Sequence, residues 1–219
     1  MTALNFEQAR YNMIEQQIRP WDVLDQRVLD TIASIPREDF VPERYRNLAF
    51  SDINIPLGQG ECMLKPNLEG RILQALAVQP GDNVLEVGTG SGYLTACLAS
   101  LAANVVSVDI VAAFVEAARN RLKAHGIHNV VLHTGDASHG WGEHRYDAIA
   151  VTGSVGEVAE IWRRSLSIGG RLFIVVGQPP VMEALLITRV SEQEWQQESL
   201  FDTELQPLRG AAPVRSFTF

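Results

Sequence analysis

The chain has 219 residues, 46% hydrophobic and 20% charged, enough apolar mass for one sizeable core and too little charge for disorder. Its 18 basic and 26 acidic residues give a formal net charge of −8, which argues against non-specific nucleic-acid binding, since that needs basic surface to release counterions. Cys62 and Cys97 have neither metal-ligand spacing nor a disulfide framework, so no metal is expected and both read as free thiols in a reducing, cytoplasmic setting.

The first ten residues lack a basic region followed by an apolar stretch, and no secretory signal is expected. Phe6, Ala9, Met13, Ile14 and Ile18 recur on one helical face over residues 5–19. A second helix follows Asp25, with Val28, Leu29, Ile32 and Ala33 inward, and stops before Pro36. Pro42 opens a helical turn through Tyr45, and residues 51–65 read as loop punctuated by Pro56, Gly58 and Gly60. Pro66 starts a helix that buries Leu68, Ile72, Leu73 and Leu76, although Gly70 inside it costs roughly 1 kcal/mol against alanine.

From residue 83 short apolar runs alternate with amphipathic stretches. Val84–Val87, Val105–Val108, Val130–His133, Ala148–Val151 and Leu172–Val176 are expected strands, with helices near 92–101, 112–125 and 156–166. That alternation predicts an α/β fold with a doubly wound, mostly parallel sheet covered on both faces. Leu185–Val190 and Trp195–Leu205 are expected to add a C-terminal antiparallel strand pair, with Gly177–Pro180 as a turn within the domain. The whole of 1–219 is expected to form one domain: N-terminal helices and a substrate loop over 1–79, a binding core over 80–177 and terminal strands over 178–219. The stretch between Glu86 and Asp109 has no charged residue, but its glycines, Ser91, Thr95 and Asn104 break it up, and no membrane span is expected.

In Val84-Leu-Glu-Val-Gly-Thr-Gly-Ser-Gly-Tyr93 an apolar strand runs into three alternate glycines and then a helix. Glycines permit a tight turn and close approach of a ligand to the backbone. The spacing differs from the dinucleotide fingerprint G-x-G-x-x-G, and no lysine follows the glycines, which excludes a phosphate-binding P-loop. Asp109 ends the next strand, 21 positions after Gly88, where a carboxylate can accept ribose hydroxyls. Asp136, in Thr134-Gly-Asp-Ala137, follows the third strand, where a side chain can meet an adenine edge. All three segments lie at carboxyl ends of adjacent strands, where open α/β sheets bind ligands.

These features resemble the Rossmann-like fold of class I methyltransferases. The resemblance implies S-adenosyl-L-methionine as cofactor and S-adenosyl-L-homocysteine as product, with contacts from Gly88, Gly90, Gly92, Asp109, Ile110, Gly135, Asp136 and Ala137. Glu86 would orient the loop or the methionine amino group. Pro36-Arg-Glu-Asp-Phe-Val-Pro42, Gly58-Gln-Gly60, Gly140-Trp141, Tyr146-Asp-Ala-Ile-Ala-Val-Thr152 and Leu205-Gln-Pro-Leu-Arg-Gly210 narrow the likeness to the protein-L-isoaspartate O-methyltransferase family. That family likeness implies methylation of a protein or peptide carboxylate in damaged protein. A carboxylate of ordinary pKa ~4 is already ionised at pH 7 and needs no general base. The likeness departs at Gly58-Gln-Gly-Glu-Cys-Met-Leu-Lys-Pro66, where the family threonine, isoleucine and serine are Cys62, Met63 and Leu64. Leu64 cannot donate a hydrogen bond, so the readings at this point are isoaspartyl methylation, transfer to a different acceptor, or cofactor binding without catalysis. Lys65, Arg209 and Arg215 are the cations that could meet an acidic acceptor, and Trp141 and Trp162 read as packing residues.

Overall fold

The computed structural model describes residues 5–211. Helix α1 (Phe6–Met13) starts at Asn5, whose side chain accepts from the Gln8 amide, and continues as a wide turn over Ile14–Ile18. Helix α2 (Gln26–Ser34) is capped by Asp25. It buries Val28, Leu29 and Ile32 as expected, but Ala33 is exposed and Thr31 is buried instead, its hydroxyl donating to the Arg27 carbonyl at 2.8 Å. The inward place assigned to Ala33 goes to Ile35, just past the helix end. A single turn at Arg37–Asp39 and a longer one at Glu43–Leu48 follow.

Residues 51–65 are not all loop. Strands β1 (Ile55–Gly58) and β2 (Glu61–Met63) pair antiparallel into a small separate hairpin. Gly58, Gln59 and Gly60 all take positive φ at its tip, a backbone that two glycines make affordable. Helix α3 (Pro66–Leu76) forms despite Gly70, and packing supplies the reason. A Cβ there would lie 3.1 Å from Ile18 and 3.2 Å from Val23, so glycine lets α3 close onto the end of the first helix.

The core alternates β3 (Asn83–Val87), α4 (Tyr93–Leu101), β4 (Asn104–Asp109), α5 (Ala112–Ala124), β5 (Val130–Thr134) and β6 (Tyr146–Val155). Then come α6 (Glu160–Arg164), β7 (Leu166–Gln178), β8 (Val181–Arg189) and β9 (Trp195–Asp202). The helix expected over 156–166 is thus one short turn anchored by fully buried Trp162. Pairing of β7 with β6 already begins at Leu166, which leaves the chain no room for more helix.

The seven strands run in the order β5-β4-β3-β6-β7-β8-β9, the first five parallel and the last two joined antiparallel. Apolar clusters fill both faces, one around Leu73, Leu98 and Phe173, the other around Leu85, Ile149 and Trp162. Helix α4 is covered on all sides except at Ser100, which accounts for the uncharged stretch. No helix among the described residues is long and apolar enough to cross a membrane.

The chain winds outward from β3 to β5, then jumps back to β6 on the other flank of β3. That reversal opens a crevice at the carboxyl ends of the strands. Two antiparallel returns after β7 bring the chain back to the same edge, so residues 203–211 cross it as a strap. Ser154 pins the strap, its amide donating to the Gln206 carbonyl at 2.8 Å and its carbonyl accepting from Leu208 at 2.9 Å.

Candidate active site

A cavity of about 410 Å³ opens at this edge, floored by the carboxyl ends of β3, β4 and β5 and roofed by the hairpin and the strap. Gly88, Gly90 and Gly92 all have positive φ in the β3–α4 turn. Gly88 and Gly90 line the cavity. Gly92 does not, because a Cβ there would stand 2.9 Å from Ala118; its role is close packing of α4 on α5.

Asp109 holds the turn from the neighbouring strand. Its Oδ2 accepts the Gly90 amide and its Oδ1 the Val111 amide, each at 2.8 Å. Burial pushes this carboxyl up while the two amides pull it down. It lines the cavity beside Ile110, Gly135, Asp136 and Ala137. Asp136 accepts the Ser138 amide at 2.9 Å, which holds its carboxyl below the ordinary range. Gly135 lies against Trp141, whose ring would meet a Cβ at 2.7 Å.

Glu86 is fully buried and lies outside the cavity lining. Its Oε2 accepts from Thr95 and, at 2.6 Å, from Ser107, whose hydroxyl also meets Thr89 at 2.6 Å. Burial pushes Glu86 to about 8, so it is mostly neutral at pH 7. Of the two roles read from sequence, orienting the loop fits these contacts and reaching an amino group in the cavity does not.

On the acceptor side Leu64 lines the cavity, and its carbonyl accepts from Arg37 at 2.7 Å. Lys65 does not line it; it precedes α3 and lies outside the cluster. The Cys62 thiol sits 3.9 Å from Gln206 Oε1, and burial together with Glu61 pushes it up, away from thiolate character. Arg209 donates to Glu61 at 2.7 Å and to the Gln59 carbonyl, tying strap to hairpin. Arg215 lies outside the described residues. No metal-binding cluster occurs among the described residues.

Thr152, Ser138 and Glu69 also line the cavity, although the sequence does not mark them as site residues. Thr152 bonds the Val87 and Gly88 carbonyls at 2.9 and 3.0 Å, setting the first turn of the glycine loop. Ser138 closes the Asp136 turn. Glu69 is buried yet lines the cavity; burial pushes its carboxyl up, to about 7, against the pull of the Arg37 guanidinium. Among the described lining residues five carboxyl groups, Glu61, Glu69, Asp109, Asp136 and Glu204, face one cation, Arg209. Such a lining favours a ligand that carries positive charge.

The sequence pattern of the family described as Protein-L-isoaspartate(D-aspartate) O-methyltransferase matches residues 8–211. A protein-L-isoaspartate O-methyltransferase of Rhodopseudomonas palustris is 38% identical over 201 residues, which is 91% of this chain and 92% of the relative. One from Koribacter versatilis is 36% identical over 98% of this chain and 97% of its own length. A solved Plasmodium falciparum chain assigned to that enzyme class, crystallised with S-adenosyl-L-homocysteine, superposes with a TM-score of 0.78 at 21% identity, covering 94% of this chain and 99% of that one.

Proposed function

Because this chain belongs to the protein-L-isoaspartate O-methyltransferase family, we propose that it transfers a methyl group from S-adenosylmethionine to the isoaspartyl carboxylate of damaged protein. One observation carries the reading: a single cavity gathers the glycine loop, Asp109 and Asp136 on one side and the acceptor loop, Cys62 to Leu64, on the other. The lining fits the cofactor. Its carboxyl-rich wall complements a sulfonium and an ammonium, Asp109 stands where ribose hydroxyls need acceptors, and Asp136 with Ile110 and Ala137 forms a small half-apolar pocket for a base. When bound, that cofactor supplies an electrophilic methyl group.

The protein's own contribution is position. The acceptor carboxylate is ionised at pH 7, so no side chain has to take a proton from it. Main chain at Gly88 and Gly90 permits close approach, while Thr152 and Asp109 fix the loop's two halves. Hairpin and strap exclude water from above. Leu64 presents an apolar side chain where the family serine would stand, so acceptor alignment falls to cavity shape and main chain.

The test is transfer of labelled methyl to an isoaspartyl peptide, with the matching aspartyl peptide as control. Methylation confined to the isoaspartyl peptide is expected. Equal labelling of both peptides, or none, overturns the reading. Asp109→Ala is expected to weaken S-adenosylhomocysteine binding about 5- to 100-fold by calorimetry, since ribose hydroxyls and the Gly90 amide lose an acceptor.

A further inference from the structure

The Pro36–Pro42 segment marks the family in the sequence, yet none of its residues lines the cavity. Arg37 is the link. It is fully buried, and its guanidinium reaches three separate elements. Nε donates to the Ala49 carbonyl at 2.7 Å, Nη2 donates to the Leu64 carbonyl at 2.7 Å, and Nη1 pairs with Glu69. Its face also lies 4.8 Å from the Tyr93 ring centroid. Leu64 and Glu69 line the cavity, and Tyr93 opens α4 directly after the glycine loop. One rigid cation therefore touches both the acceptor loop and the helix that carries the cofactor loop.

Stability alone is a weak reason for this arrangement. Burying an ion pair costs desolvation on both partners, and well-packed apolar side chains commonly do as well. What an apolar cluster cannot do is fix the direction of a main-chain carbonyl, and the planar fork of arginine does so where lysine would not.

We infer that Arg37 is a positioning residue for methyl transfer, holding the acceptor loop at Leu64 in register with the glycine loop, with Glu69 orienting its fork. The inference rests on the function proposed above. In-line transfer is sensitive to misplacement of about 1 Å, which can cost on the order of 100-fold in rate.

Arg37→Lys and Glu69→Gln are the variants, assayed well below their melting temperatures on an isoaspartyl peptide, with S-adenosylhomocysteine affinity measured in parallel. Arg37→Lys is expected to lower kcat about 10- to 100-fold while cofactor affinity stays within about threefold. Glu69→Gln is expected to cost less, because the amide oxygen still accepts from Arg37. The wild-type kcat should also rise with pH through about 7 as Glu69 ionises, a limb that Glu69→Gln lacks. The other groups facing Glu69 are Tyr93 and Cys97 on α4, both pushed above that range by burial, and Glu86 on β3. Unchanged kcat in folded Arg37→Lys overturns the inference, as does a kcat loss matched by an equal loss of cofactor affinity. If Arg37→Lys does not fold, Glu69→Gln decides: a kcat and pH profile equal to wild type overturns it. No transfer to isoaspartyl peptide by the wild type overturns the proposed function and this inference together, whereas normal wild-type transfer with unaffected variants overturns the inference alone.

Discussion

Glu86 occupies a place where its charge is costly. Its Oε1 is buried without a hydrogen-bond partner, and burial raises its carboxyl from the ordinary 4.5 to about 8. The folded state therefore holds a proton that the unfolded chain releases between those values. Its contribution to stability is greatest below pH 4.5, falls by about 1.4 kcal/mol per pH unit as pH rises through the window, and is level above pH 8. Glu86→Gln imitates the protonated form and should remove that slope. In urea unfolding at pH 5.5, 7 and 8.5, the variant is expected to gain on wild type at each step; parallel curves would refute the assignment. At this scale the sequence showed the floor of the site well. Asp109, Asp136, Gly88 and Gly90 stand out because strand ends and glycine turns leave a local pattern. Glu69 and Thr152 do not, since each reaches the cavity through packing across distant segments. Spacing also cannot separate Gly92, which serves helix packing, from its lining neighbours Gly88 and Gly90.

The strap and the hairpin act as a pair of elements over one cleft. Gly210 shows how tightly the strap is laid down: with φ of +84°, its Cβ would sit 2.4 Å from Asp136 Oδ2 and 2.9 Å from Ser138 Oγ. Gly142 also has positive φ, +65°, but nothing stands within 4 Å of its would-be Cβ. Alanine at either site carries a left-handed backbone cost of about 1 kcal/mol. Only Gly210→Ala should also lift the strap, weakening S-adenosylhomocysteine binding about tenfold, while Gly142→Ala leaves it unchanged. Equal affinities by calorimetry would show that the strap does not bear on the cofactor side. The parallel strands were legible because short, mostly buried valine-rich runs such as Val105–Val108 have few other readings. The hairpin was not, because β1 and β2 are too short for an alternating pattern and their register depends on the tip glycines. Helix α6 is shorter than the 156–166 pattern predicts because the apolar residues of 158–168 serve partly as strand.

The molecule places the two halves of its roof far apart in sequence. Arg209 meets Glu61 across 148 residues, and the whole parallel sheet lies between them. The fold makes this meeting possible by parity, because an even number of antiparallel returns after β7 delivers the strap to the ligand edge. It also fixes when the meeting can happen. Closing so long a loop loses much chain entropy and gains little until β3 to β9 are in place. Strap contacts should therefore be absent from the rate-limiting transition state. Leu205, buried at the start of the strap, offers the probe. Truncation to alanine is expected to cost about 2 kcal/mol, speeding unfolding while leaving the refolding rate unchanged. A slowed refolding limb in the chevron plot would contradict this order. The cleft beneath the strap is then the last part of the protein to take shape in each refolding event, and ligand binding during refolding should lag the recovery of sheet structure.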